Sequence, residues 1–206
     1  MLKDDNEVSR EIKDMDFGKK ASVYDDSWGK VSGRFYRLLL GQVELKPGAK
    51  VLDVGCGTGA LLRKMADACP ISGFGIDMSE NMIEEAKRKC PEMDIRISRC
   101  EETPFEDNTF DVITTCMAYH HFSDRAGFAK EAARVLKPGG CLYIVDPHFP
   151  FVIRKAMNGF FKMIRVAGAF STPEETYRDF AVYGFKPSGF QTDGYAQVVM
   201  MVLAPD

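Results

Sequence analysis

The stretch Val51-Leu52-Asp53-Val54-Gly55-Cys56-Gly57-Thr58-Gly59 decides the fold. Val51, Leu52 and Val54 form a short apolar run of strand-forming residues. The spaced glycines can take backbone angles closed to other residues and let a ligand come close to the main chain. Ala60, Leu61, Leu62, Met65 and Ala66 follow with the spacing of a helix that has one buried face. The loop amides therefore open onto a helix N-terminus, which makes strand, loop and helix a nucleotide-binding start. Asp53 is an acid inside an otherwise apolar strand. That is costly unless it stands at the strand's carboxyl end and bonds a polar group, so it reads as a ligand contact.

Downstream, Ile71 to Asp77 reads as a second strand that again ends in an acid, 24 residues past Asp53. A carboxylate there can accept both ribose hydroxyls of a nucleotide, and an acid at the same place also favours the dipole of the following helix. Ser79 caps a helix running to Lys89, with Met82, Ile83 and Ala86 turned inward. Ile95 and Ile97 mark a third strand and Phe110 to Thr115 a fourth, whose carboxyl end leads into Cys116–Phe122, where a substrate belongs. Phe128, Ala132, Val135 and Leu136 predict a helix stopped by Pro138-Gly139-Gly140. Cys141 to Val145 then predict a fifth strand ending at Asp146-Pro147-His148. Strands of continuous apolar character alternating with helices predict a mostly parallel sheet covered on both faces.

Asp53 to Gly59 resembles motif I of the class I S-adenosylmethionine-dependent methyltransferases. Gly75-Ile76-Asp77-Met78-Ser79 is similar to that family's second cofactor segment, and Leu136-Lys137-Pro138-Gly139-Gly140 to its turn before strand five. The resemblance spans Tyr24 to Phe190. It implies a doubly wound α/β fold with a seven-stranded, mostly parallel sheet and a C-terminal antiparallel hairpin. It also implies S-adenosylmethionine as cofactor and in-line methyl transfer to a small-molecule acceptor, in the general shape of the branch that includes quinone-ring methyltransferases. The implied cofactor contacts are Asp53, Gly55, Cys56, Gly57, Gly59, Asp77, Met78 (flat against adenine), Cys100, Glu101 and Cys116. One position departs from the pattern: relatives carry an acid where this chain has Arg99, and an arginine has no acceptor for the adenine amino group. Adenine is then left to the backbone near Cys100 or to Glu101.

Other readings stay open at this point. Gly55-x-Gly57-x-x-Ala60 also satisfies the relaxed dinucleotide fingerprint, so a nicotinamide-dependent oxidoreductase is one alternative. A non-catalytic protein that keeps the S-adenosylmethionine pocket is another, with Arg99 as its support. The C-terminal segment, Phe190–Thr192 and Tyr195–Ala204 around an Asp193-Gly194 turn, reads as a hairpin that suits the methyltransferase sheet and not a dehydrogenase. Methyl transfer needs alignment more than acid-base chemistry, but a neutral acceptor calls for a base. The candidates are His120 and His121 after strand four and His148 after strand five, although surface or helix-start histidines give the same pattern.

With 206 residues, 45% hydrophobic and 28% charged, the composition is that of one globular domain with a good-sized core. It divides into a charged arm (1–16), an N-terminal cap (17–45), a cofactor-binding core (46–148), a cap helix (149–170) and a C-terminal helix and hairpin (171–206). In the N-terminal cap, Phe35, Leu38 and Leu39 have helical spacing ahead of Gly41. Tyr24 and Trp28 either pack on the sheet or, as the resemblance implies, form a lid over the substrate. Phe151–Gly168 predicts an amphipathic helix with Ile153, Met157, Phe160, Phe161 and Ile164 on one side and Arg154, Lys155, Asn158, Lys162 and Arg165 on another. Such a basic helix can rest on a membrane, but a solvated face over a buried stripe is the commoner cause and the expectation here. The net charge of −3 argues against a nucleic-acid partner. The six cysteines contain no C-x-x-C pair, so they are read as reduced core thiols and no metal is expected. No apolar signal core or membrane-length run is present, which makes the cytoplasm the expected location.

Overall fold

In the computed structural model residues 21–164 and 168–205 are described, with side chains from residue 31 onward. The chain runs α1 (Ala21–Leu40), β1 (Lys50–Val54), α2 (Ala60–Ala68), β2 (Ser72–Asp77), α3 (Glu80–Lys89), β3 (Asp94–Ile97) and β4 (Phe110–Cys116). It continues through α4 (Arg125–Val135), β5 (Leu136–Pro147), α5 (Phe151–Met163), α6 (Pro173–Ala181), β6 (Phe185–Asp193) and β7 (Ala196–Leu203). The seven strands form one sheet in the order β3-β2-β1-β4-β5-β7-β6. Strands β1 to β5 pair parallel, while β7 lies antiparallel between β5 and β6. After β1 the chain moves outward one way to β3, then returns to place β4 on the other flank of β1. Between β1 and β4 the winding reverses, and the carboxyl ends of those strands form the crevice in which such sheets bind ligands.

Alternation along each central strand sends successive side chains to opposite faces. Leu52, Val54, Ile113 and Ile144 face one core, closed by Phe128 and Ala132 of α4 and Phe180 of α6. Val51, Val112, Val145 and Val198 face the other, closed by Phe35 and Leu39 of α1, Leu62 and Met65 of α2 and Ile83 of α3. Each fully buried aliphatic side chain contributes about 1.5–3 kcal/mol, so the two layers of covering helices are held mainly by these contacts. The helix starts follow their sequence signals. Ser79 Oγ accepts from the Met82 amide, and Thr172 and Glu175 close a reciprocal capping box with Pro173 at the first helical position.

Several expectations are corrected. Helix α4 ends at Val135, and Leu136 already belongs to β5, paired with Phe110. The next pairing joins Val112 to Cys141, so the Pro138-Gly139-Gly140 turn is looped out within the strand's span rather than placed before it. Leu136 is fully buried there and Lys137 Nζ bonds Asp111 Oδ1 at 2.6 Å, which gives the strand an anchor ahead of the turn. Strand β6 begins at Phe185 rather than Phe190; it lies at the sheet edge, where Pro187 costs no central ladder bond. Helix α5 stops at Met163, not Gly168, and it buries none of its residues.

Candidate active site

The loop after β1 is shaped by left-handed backbone that glycine alone adopts without strain. Gly55 has φ +73°, and a Cβ there would stand 2.5 Å from Ala118 Cβ, so the loop packs directly against the turn that follows β4. Gly57 has φ +51° with no atom within 4 Å of its would-be Cβ, which makes it the open side of the loop. Gly59 caps α2, close against Ala86 of α3. The amides of Gly55 and Cys56 donate to Ile76 O at 2.8 and 2.9 Å and tie the loop to β2. Cys56 is buried and its thiol is pushed well above the usual range by that burial, so it is neutral and contributes shape.

Asp77 stands at the end of β2 and accepts the Gly57 amide on Oδ2 at 3.0 Å and the Ser79 amide on Oδ1 at 2.9 Å. Burial raises its pKa and these backbone donors oppose the rise. Each oxygen keeps a second acceptor site for a ribose hydroxyl. Beside it, Met78 is half exposed and offers a flat apolar contact. Asp53 is buried one strand away, where Thr114 Oγ1 donates to its Oδ1 at 2.7 Å. Its pKa is pushed up to about 7, mainly by burial, with the Asp77 charge adding to the rise and Thr114 opposing it. Among the described residues Oδ2 of Asp53 holds no hydrogen bond. Cys116 ends β4 with a thiol held neutral by burial and by the charges of Asp53 and Asp146.

The Arg99 side chain is 44% exposed, and its guanidinium is ion-paired with Glu101 rather than left to solvent alone. Glu101 also accepts from Cys100 Sγ at 3.2 Å. Each of its oxygens therefore carries one donor and keeps a second acceptor site.

The three histidines have different surroundings. His120 is 7% exposed and its Nδ1 lies 2.9 Å from Oδ1 of Asp146, itself 4% exposed at the end of β5. A carboxylate only accepts, so Nδ1 is the donor, and in the neutral ring the lone pair is on Nε2. Among the described residues Nε2 has no hydrogen-bond partner. The Phe170 ring stacks on His120 at 5.0 Å, and the Asn158 side chain of α5 bonds both the N–H and the C=O of Phe170 at 2.8 and 2.9 Å. His121 stacks obliquely on His120 at 4.0 Å. His148 instead meets Gln197 Oε1 at 3.1 Å, and Gln197 Nε2 donates to Ser171 O, so Gln197 joins the end of β5 to the segment before α6 and His148 is one of its partners. Tyr24 and Trp28 lie in the first half of α1, where side chains fall outside those described, as does the arm 1–16. The described residues hold no cluster of three or more potential metal ligands, and all six cysteines are free thiols.

Asp146, Thr114, Phe170 and Met117 were not singled out in the sequence. Asp146 carried a signal, since like Asp53 and Asp77 it is an acid closing an apolar strand. Met117 carried none: it is a non-glycine residue at φ +57°, a strained conformation of the kind that gathers at ligand sites.

Residues 52–144 match the family model described as a methyltransferase domain. The chain is 36% identical over 157 residues to the demethylmenaquinone methyltransferase of Chlorobaculum parvum, covering 74% of this chain and 64% of that protein. It is 33% identical over 169 residues to the demethylmenaquinone methyltransferase of Staphylococcus saprophyticus, covering 71% and 72%. Its fold matches, with a TM-score of 0.80 and 19% identity over 92% of this chain and 98% of the other, a chain from the complex between the Haloferax volcanii Trm112 methyltransferase activator and a methyltransferase. The chain belongs to the class I S-adenosylmethionine-dependent methyltransferases and resembles their quinone-modifying members. S-adenosylmethionine is the cofactor this family uses. The residues present fit it: the open left-handed Gly57 admits the ligand to the main chain, and Asp77 retains acceptors for a diol. The nicotinamide alternative is not favoured.

Proposed function

We propose that the protein methylates a hydroxylated aromatic ring, of the quinol kind suggested by its relatives' names, with His120 as general base. The observation that carries this reading is the His120–Asp146 pair at the carboxyl ends of β4 and β5. When bound, S-adenosylmethionine supplies a methyl group on a positively charged sulfur. Gly57 and Asp77 hold the nucleoside half, with Met78 against the purine, while Asp53 and Cys116 line the floor toward the reacting end. His120 Nε2 would take the proton of a ring hydroxyl as the neighbouring ring carbon attacks the methyl group and the methyl–sulfur bond breaks with its electron pair returning to sulfur. The methylated ring carbon then loses its own hydrogen to water while the ring oxygen regains the proton held by His120, so one proton is released per turnover. Asp146 stabilises the imidazolium that forms, and general-base help of this type contributes typically 10²–10⁴-fold. Phe170 and α5 cover the base and exclude water during transfer. The relative from Chlorobaculum is matched over 64% of its length, and the reading concerns the part of the reaction that this chain's residues can carry.

The test is incubation of the purified chain with isotopically methyl-labelled S-adenosylmethionine and a naphthoquinol, a catechol or an aliphatic amine, followed by mass spectrometry. Label on a ring carbon of the naphthoquinol is the expected result. Label only on nitrogen, or none with any acceptor under conditions where the cofactor binds, would overturn the reading.

A further inference from the structure

Helix α5 is mounted with its polar side toward the protein. Arg154 Nη1 bonds Glu175 Oε2 at 2.7 Å and Asn158, one turn further along, bonds Phe170; Arg154 is only 14% exposed. At 100° per residue this fixes the opposite side outward, and Val152, Ile153, Phe160, Met163 and Ile164 are accordingly 44–74% exposed along one face. A periodic apolar stripe that turns away from the core has no role in holding the fold, and a contiguous exposed patch of this kind marks an interaction surface. Lys155 and Lys162 flank the stripe on one side, with Lys155 Nζ over the Phe151 ring at 5.9 Å. The sequence holds no acid between Asp146 and Glu174, although the whole chain carries a net charge of −3. An apolar face bordered by lysines and free of carboxylates is complementary to an anionic phospholipid surface, in which the aliphatic and aromatic side chains enter the acyl boundary and the lysines meet the headgroups. A second copy of the same face would instead bring lysine against lysine. No helix among those described is long and apolar enough to cross a membrane, so the contact is in the plane of the surface.

We propose that α5 docks the protein on anionic membranes through the face formed by Val152, Ile153, Phe160, Met163 and Ile164. The proposal is independent of the acceptor and of His120, and it concerns where the protein works rather than what it transfers.

Co-sedimentation of the full chain with vesicles tests it. Binding is expected to vesicles of phosphatidylcholine with 30–40% phosphatidylglycerol, and at least tenfold weaker binding to phosphatidylcholine alone, with the former weakening as salt rises. Ile153→Glu with Phe160→Glu is expected to reduce binding at least tenfold. Both positions are exposed, so the variant should keep its circular dichroism and its cofactor affinity. Lys155→Glu with Lys162→Glu is expected to abolish the preference for anionic lipid. Failure of the wild-type chain to bind, equal binding by the Ile153→Glu/Phe160→Glu variant, or a dimer on light scattering that this variant dissolves while neither form binds vesicles would each overturn the proposal.

Discussion

His120 Nδ1 and Asp146 Oδ1 stand 2.9 Å apart with both side chains almost wholly buried, at the ends of neighbouring strands and 26 residues apart in sequence. Asp146→Asn preserves the shape but can donate to Nδ1, which favours the tautomer with the proton on Nε2 and so removes the base. A fall in kcat of about 10²–10⁴-fold is expected with little change in cofactor affinity. His120→Gln should lose as much, and the double variant little more, because the two act as one unit. Steady-state kinetics beside calorimetric cofactor titration separates these quantities. Loss of cofactor binding in Asp146→Asn would make the pair a structural support instead.

Asp77→Ala removes acceptors for the ribose and also releases the amides of Gly57 and Ser79. S-adenosylmethionine binding should weaken by about 1–3 kcal/mol, the range for charge-assisted hydrogen bonds. Titration calorimetry on the folded variant checks this, and unchanged affinity would remove Asp77 from the ribose.

Arg99 pairs with Glu101 in an exposed setting, and such pairs are worth little to stability, about 0–1 kcal/mol. Replacing Arg99 by Ala should therefore leave the melting temperature nearly unchanged while freeing a Glu101 oxygen to accept from the adenine amino group. Cofactor affinity is expected to rise by about 0.5–1.5 kcal/mol, the net value of one hydrogen bond. Alanine is preferable to aspartate, which would set a second carboxylate beside Glu101. A measured loss of affinity would show that the guanidinium itself holds the cofactor.

Asp53 gives a pH dependence with a definite sign. Its folded pKa of about 7 lies above the unfolded value of 3.8, so the folded state binds the proton more tightly. Its contribution is most favourable below pH 3.8 and is lost as pH rises from there through about 7, where an uncompensated buried carboxylate remains. Asp53→Asn should thus stabilise the ligand-free protein at pH 8 by roughly 1–3 kcal/mol and change it much less at pH 5. Cationic S-adenosylmethionine favours the ionised form, so binding near pH 6.5 should release protons from wild type but not from Asp53→Asn. Thermal melts at the two pH values and calorimetry in buffers of different ionisation enthalpy read both effects.

Much of the cofactor end was legible because its signals are local. Gly55 to Gly59 and the acids Asp53 and Asp77 depend on residues within one strand-turn-helix unit, and their positions at strand ends follow from the apolar runs before them. The Asp146–His120 contact depends on strand order and on a turn joining residues from β4 and β5, which periodicity does not encode. Helix α5 shows a different limit. Its stripe was visible in the sequence, yet a hydrophobic period tells which residues share a face and not which way that face turns. That direction was set by Arg154 finding Glu175 and Asn158 finding Phe170. Leu136 was assigned to a helix because a buried leucine suits either element; only its pairing with Phe110 decides.

The clamp between Asn158 and both backbone groups of Phe170 closes an interval of 12 residues into a loop fastened at its own neck. Residues 159–164 carry the part of that loop open to exchange, whereas Gly168, whose would-be Cβ would run into His120 O, and Ala169, whose amide donates to the same oxygen at 2.9 Å, hold its far end against the base. The segment above the base is in this sense a detachable module: new acceptor preferences could be grafted here from related enzymes, with Asn158 and Phe170 retained as the splice points.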